Sequence, residues 1–275
     1  MKRSIILVLA LALVSGIFAL AEDTLTYGDF TYVLTEAGTA QITGYTGASG
    51  DVEIPSEVNG AAVTSIGSGA FIFHEGIKHV TVPEGVTEFG AVTFMLCRDL
   101  VRVELPDSLC FMLTNPFAYC DSLMKVDLSS KHEFFELKDG ALYSKPDSRL
   151  MYCPAYKSEL AVAEGTHEIG DMAFAGCLDL EKVTIPDGVN MLCYRAFENC
   201  VSLKEIVLPG SVVSIDMEAF IQCESLKSVT LPDGISYIDA DAFKDCPADL
   251  TATVVKGSYA EKYCLDNGIA VAYAE

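Results

Sequence analysis

Seven phenylalanines set a ruler along this chain. Phe71, Phe94 and Phe117 are spaced 23 residues apart, and so are Phe174, Phe197, Phe220 and Phe243. The last four stand in one motif: AFAGC at Ala173–Cys177, AFENC at Ala196–Cys200, AFIQC at Ala219–Cys223 and AFKDC at Ala242–Cys246. A unit of this length is too small to bury its own apolar face. It must bury that face against identical neighbours, so a fixed period of this size predicts a solenoid.

Other columns keep the same step. Leu203, Ile206, Leu208, Pro209, Val212, Ile215, Ala219, Phe220 and Cys223 recur as Leu226, Val229, Leu231, Pro232, Ile235, Ile238, Ala242, Phe243 and Cys246. Leu-x-x-Val-x-Leu alternates as a strand with one buried side, and the Pro that follows ends the strand because it has no N–H for a ladder. The phenylalanines are expected to stack coil on coil. Six cysteines (Cys97, Cys120, Cys177, Cys200, Cys223, Cys246) share one column. Coils stack at ~4.8 Å with side chains pointing the same way, whereas a disulfide wants Cβ atoms ~3.8 Å apart and facing each other. The column is therefore expected to be reduced, buried and apolar in role.

These motifs resemble the bacterial BspA-like class of leucine-rich repeats, in which Ala-Phe-x-x-Cys occupies the unit's second half. Gln41–Gly47, Val52–Pro55 and Val63–Gly67 are similar to the opening of such proteins. Asp139–Ser144 resembles their mid-array hairpin, and Lys256–Cys264 their closing cap. The resemblance implies a mainly β, right-handed leucine-rich-repeat array and a role in binding. It names no reaction, because such arrays serve many partners.

The period breaks once. The step from Phe117 to Phe174 is 57 residues. Leu142–Ser144 and Leu150–Tyr152 flank a Lys-Pro-Asp-Ser turn, which predicts an inserted hairpin and a bend in the array. Lys2 and Arg3, the apolar run Ile5–Val14 and the small residues Ala19 and Ala21 form a secretory signal pattern with cleavage after Ala21. The apolar run is shorter than the ~20 residues a membrane span needs. The expected organisation is a leader over residues 1–21, an N-terminal β-hairpin cap over 22–60, a solenoid over 61–255 with its hairpin at about 135–155, and a cap with a short helix over 256–275. The expected location is extracellular or cell-surface.

No nucleophile elbow, phosphate loop or dinucleotide fingerprint is present. The four histidines (His74, His79, His132, His167) lack metal-ligand spacing, so neither cofactor nor metal is expected. Cys110, Cys153, Cys193 and Cys264 lie outside the column and are the candidates for a reactive thiol. Asp239 and Asp241 read as turn residues rather than a catalytic or Ca²⁺-binding pair.

The net charge of −21 excludes a nucleic-acid or anionic-membrane partner. Against it, Lys78, His79, Arg102, Lys125, Lys182, Lys204 and Lys227 fall in two neighbouring outward columns of the strands. They predict a basic stripe for an acidic protein or glycan, set against the bland reading that surface strands use Lys for solubility. Tyr143, Tyr152 and Tyr156 in the hairpin are the expected second contact surface. The function expected is a non-catalytic protein-interaction module in adhesion or host–microbe contact. A glycan-binding or envelope-organising protein is the alternative, although the chain has no Trp for a sugar platform. An enzyme on a β-solenoid is the distant third.

Overall fold

The computed structural model describes residues 24–48 and 50–274. The leader expected at 1–21 lies outside them. The chain winds as a mainly β solenoid with one short helix. Each regular coil has three sides: the leucine-rich strand, a second short strand, and a tight turn around the Ala-Phe-x-x-Cys motif.

The strand side runs Gly50–Glu53, Ile77–Thr81, Arg102–Glu104 and Lys125–Asp127 in one parallel sheet. Glu159–Ala161 and Lys182–Thr184 form a second. Glu205–Val207, Ser228–Thr230, Thr251–Val254 and Ala270–Tyr273 form a third. The second side carries two-residue strands such as Glu168–Ile169, Met191–Leu192, Ser214–Ile215 and Tyr237–Ile238, each in register with the next coil.

The turn side explains two columns that pattern reading missed. The residue two after each core Phe holds positive φ, and so does the residue two before it except at Asn115 and Asp241. Arg195 and Glu218 are at 53° and 58°, and Leu96, Tyr119, Asn199, Gln222 and Asp245 lie between 59° and 62°. Such a conformation costs a non-glycine residue roughly 1–2 kcal/mol. It persists because it aims each amide at the next coil: Phe197 N–H donates to Ala219 O at 2.7 Å and Asn199 N–H to Ile221 O at 2.9 Å.

All seven ruler phenylalanines are buried. Phe174, Phe197, Phe220 and Phe243 stack at 4.6, 5.1 and 5.0 Å with ring planes within 9° of parallel. Tyr45 covers the first ring, Phe71, and Tyr263 the last, Phe243. The column cysteines are all free thiols, and five of the six are fully buried. They also serve as donors: Cys200 Sγ–H reaches Phe174 O at 3.3 Å and Cys223 Sγ–H reaches Phe197 O at 3.2 Å, each in the preceding coil. Those carbonyls also accept a backbone N–H from Cys177 and Cys200, so each thiol supplies a second bond.

The caps follow the sequence. Leu25–Tyr27, Phe30–Leu34 and Ala40–Tyr45 form an antiparallel meander, one strand more than the expected hairpin. At the far end, Ser258 Oγ accepts from Glu261 N and starts the helix Tyr259–Asp266. Gly268, at φ 71°, lets the chain turn into Ala270–Tyr273.

The insertion departs from expectation. It has three strands, Phe135–Lys138, Ala141–Ser144 and Arg149–Tyr152, and they continue the second side rather than project from it. Tyr143 and Tyr152 are each only 3% exposed. Tyr152 takes the place of a core ring, meeting Phe117 edge-on at 5.4 Å. Tyr143 Oη accepts from Ala163 N at 3.2 Å. The alternation that looked like an exposed hairpin is the inward pattern of core strands. Only Tyr156, 43% exposed, remains on the surface.

This coil has no Phe turn of its own. On the turn side, the coil of Phe117 therefore packs directly on that of Phe174. Asn115 bridges them, accepting from Phe117 N at 2.9 Å and donating to Met172 O at 2.8 Å. The carbonyl of Ala173, one residue before the ruler ring, is taken by Cys153 N.

Candidate interaction face

The strand side is the regular surface of the molecule. Parallel register fixes its columns: Asp51, His79, Arg102 and Lys125 stand side by side, and so do Thr81, Glu104 and Asp127. Both columns point outward, two residues apart on each strand, so cations and carboxylates meet. His79 Nδ1 lies 2.8 Å from Asp51 and Arg102 lies 2.9 Å from Glu104. Asp127 takes both Arg102 Nε and Lys125 Nζ at 2.5 Å. Partial burial pushes the Asp127 carboxyl up, and the hydrogen bonds from Lys125 and Arg102 more than offset it, leaving it below its usual value.

In the second half Lys204 pairs with Glu181 at 3.5 Å and Lys227 with Asp249 at 3.4 Å. Among the described residues, Lys78 and Lys182 have no carboxylate within 4 Å. The basic stripe is thus a lattice of alternating charge. Glu104 and Asp127, which interrupt the stripe in the sequence one position past the central Val, are the acids that neutralise it here. Exposed pairs of this kind add ~0–1 kcal/mol each, so they shape the surface more than they stabilise it. Further along, the second outward column becomes Thr184, Val207, Thr230 and Thr253, small and uncharged.

The remaining chemistry-bearing side chains are turned to structural use. His132 is buried, its Nε2 on Pro106 O at 3.1 Å and its Nδ1 accepting from Phe135 N at 3.1 Å. His74 reaches Gly47 O at 2.8 Å. Asp239 Oδ1 accepts from Asp241 N, closing the turn its spacing implied. Burial pushes the thiols of Cys97 and Cys193 up to about 12 and that of Cys264 to about 11, which removes them as nucleophiles near neutral pH. Cys110 is exposed. Among the described residues no three His, Cys, Asp or Glu side chains converge as metal ligands, and no helix is long and apolar enough to cross a membrane.

One buried polar network was not visible in the sequence. Arg195 lies between Glu218, bonded at 2.6 Å through Nε, and Glu198 at 3.3 Å. Tyr119 stands beside Glu198, and its phenol is pushed well up by burial and by that carboxylate. Burial likewise pushes the Glu198 carboxyl up, against the pull of Arg195. Residues of the two halves of the array meet here across the junction of the Phe117 and Phe174 coils. The buried network abuts that junction, where Tyr119 Oη and Glu198 Oε2 are left without a hydrogen-bond partner among the described residues.

A leucine-rich-repeat protein from Eubacterium ventriosum is 19% identical over 84% of this chain and 85% of its own, with a TM-score of 0.52. A leucine-rich cell surface protein from Faecalibacterium prausnitzii is 20% identical over 91% and 98%, with a TM-score of 0.39. The pneumococcal vaccine antigen PcpA is 15% identical over 94% and 100%, with a TM-score of 0.49. No curated protein sequence matches. The family model for the BspA type leucine-rich repeat region matches six copies across residues 51–145 and 146–267. The chain therefore belongs to the BspA-type leucine-rich repeat family.

Proposed function

We propose that this protein is an exported, non-catalytic interaction module that presents its strand side to a protein partner at a cell surface. The observation that carries the reading is the division of labour among side chains. Most thiols and aromatic rings are buried in the coils, whereas the strand side repeats exposed, small or charge-paired residues at each coil. A rigid face of this kind gives shape and charge pattern without side-chain disorder to freeze, which lowers the cost of association. Family membership supports a binding role. The leader pattern at residues 1–21 supports export.

The neutralised columns alter what the face selects. Lys78 and Lys182 are its unpaired cations, so they, and not the Asp127-bound Lys125, carry any attraction for an acidic partner. A photo-crosslinking residue placed at Thr184 or Val207 is expected to trap a surface protein of host or microbial origin. The same residue at Ser214 or Tyr237, on the second side, is expected to trap none. Equal capture from both sides, or none from the strand side, refutes the reading. Mass analysis of the protein from culture medium tests export, with an N-terminus at Glu22 expected.

A further inference from the structure

The strand side is interrupted between Lys125–Asp127 and Glu159–Ala161. Among the described residues the first strand pairs only with Arg102–Glu104, and the second only with Lys182–Thr184. Parallel pairing alternates main-chain groups between the two edges of a strand. Val101 O and Leu105 N bond to the Lys125–Asp127 strand, through Lys125 N and Asp127 O, so the groups of Val126 and the N–H of Leu128 point into the gap. Ser158 O and Val162 N bond to the Lys182 strand, so the N–H and C=O of Glu159 and Ala161 point into the gap from the other side. Among the described residues none of these groups has a hydrogen-bond partner.

The gap has a floor and an exposed rim. A recess of about 110 Å³ lies against the first strand, walled on its other side by the inserted strands and the segment that leads into the second strand: Met124, Lys125, Leu137, Gly140, Pro154 and Tyr156 line it. Met124 is 57% exposed and Tyr156 43% exposed, two large apolar side chains side by side at the recess. Glu159 stands at the far rim and has no ion pair among the described residues.

We propose that this interruption is a docking notch for an extended segment of a partner protein, which inserts as a strand between the two edges. Deepening the interaction reading above, the inference rests on it. Two strand edges with unmet donors and acceptors, one on each side of the interruption, suit another main chain. The recess accepts one apolar side chain of that segment between Met124 and Tyr156, and Glu159 selects a Lys or Arg nearby. The chain's charge of −21 steers the same kind of partner. The ladder is also open between Lys182–Thr184 and Glu205–Val207. There the coils stay paired on the second side, so their spacing leaves no room for a strand, which needs about 9–10 Å between its neighbours. The missing Phe turn frees the first gap from that constraint.

The test uses the full chain and a displayed library of random 12-residue peptides as the probe. Selected binders are expected to slow hydrogen exchange at Val126, Leu128, Glu159 and Ala161 at least tenfold. They are also expected to lose at least tenfold in affinity on Tyr156→Ala or Met124→Asp, both surface changes, and to be enriched in Lys or Arg beside an apolar residue. Exchange at these amides as slow as at Leu105 in the free protein overturns the notch, because the edges would then be satisfied. Binders that protect other strand-side amides and ignore both substitutions overturn the notch while leaving the interaction reading intact. Binders confined to the other sides, or none at all, overturn both.

Discussion

Gly176 offers the sharpest test of how the two halves of the array are joined. It occupies the left-handed position two residues after the core Phe, at φ 79°. Glycine is not required there by conformation, because Leu96, Asn199, Gln222 and Asp245 hold the same position in other coils. What differs is the neighbour. A Cβ on Gly176 would lie 2.5 Å from Cδ1 and 3.0 Å from Cε1 of Tyr119. The ring is buried beside Glu198 and cannot swing to solvent. Gly176→Ala should thus cost the left-handed penalty of ~1–2 kcal/mol plus an overpacking penalty of ~1–3 kcal/mol. In a Tyr119→Ala background the second part should vanish, giving a coupling of ~1–3 kcal/mol in a double-mutant cycle. Urea unfolding followed by circular dichroism and tyrosine fluorescence suits a chain without Trp. If Gly176→Ala costs the same with and without the Tyr119 ring, the contact does not hold the junction and the argument fails.

Other expectations follow from the same geometry. Phe197→Ala removes a fully buried ring stacked on both faces and should cost ~3–5 kcal/mol; a loss under ~1 kcal/mol by urea titration would contradict the stack. Glu218→Ala leaves the buried Arg195 with only the weaker Glu198 contact and should cost ~3 kcal/mol or more, whereas an unchanged midpoint would show that the network contributes nothing. Burial raises the thiols of Cys97 and Cys193 from 9.0 to about 12. Their contribution is fully present below pH 9 and is lost as pH rises towards 12, at most about 4 kcal/mol per thiol. Urea midpoints should therefore fall steadily between pH 9 and 11, and a flat profile would refute the buried-thiol assignment.

How much the sequence revealed depended on whether a feature repeats. The Phe ruler, the Pro-ended strands and the reduced Cys column recur every 23 residues, so each copy corroborates the others, and the structure follows them. The caps were legible through local chemistry such as Ser258 and Gly268. What escaped was whatever depends on a partner elsewhere. Tyr143 and Tyr152 carry the alternation of any hairpin, and only the absent Phe turn tells that they face inward. Asp127 follows Lys125 by two residues on the same strand, but its second bond, to Arg102 of the neighbouring strand, depends on register. Tyr119, Gly176 and Arg195 belong to separate coils that meet only because one turn is missing, and no window of sequence contains all three.

The same break bears on how a repetitive protein can recognise anything in particular. A regular solenoid offers the same local surface at every coil, so a partner that fits one coil fits its neighbours at nearly the same free energy. Such a face can bind tightly yet fail to fix a register, since specificity is a difference of affinities. A single aperiodic position removes the degeneracy. Here the missing Phe turn brings the Phe117 and Phe174 coils together on one side and leaves the strand ladder open on another. The rigid junction and the gap are therefore two results of one insertion. Tyr119 and Gly176 meet where the coils touch, while the three inserted strands separate the coils on the second side. Loosening the junction should alter recognition at the gap more than an equally destabilising change such as Phe220→Ala does elsewhere in the array. Comparing peptide affinity in Gly176→Ala and Phe220→Ala proteins, both kept well below their unfolding midpoints, separates a geometric link from a general loss of stability. Equal losses in the two proteins would mean that the gap does not depend on the junction.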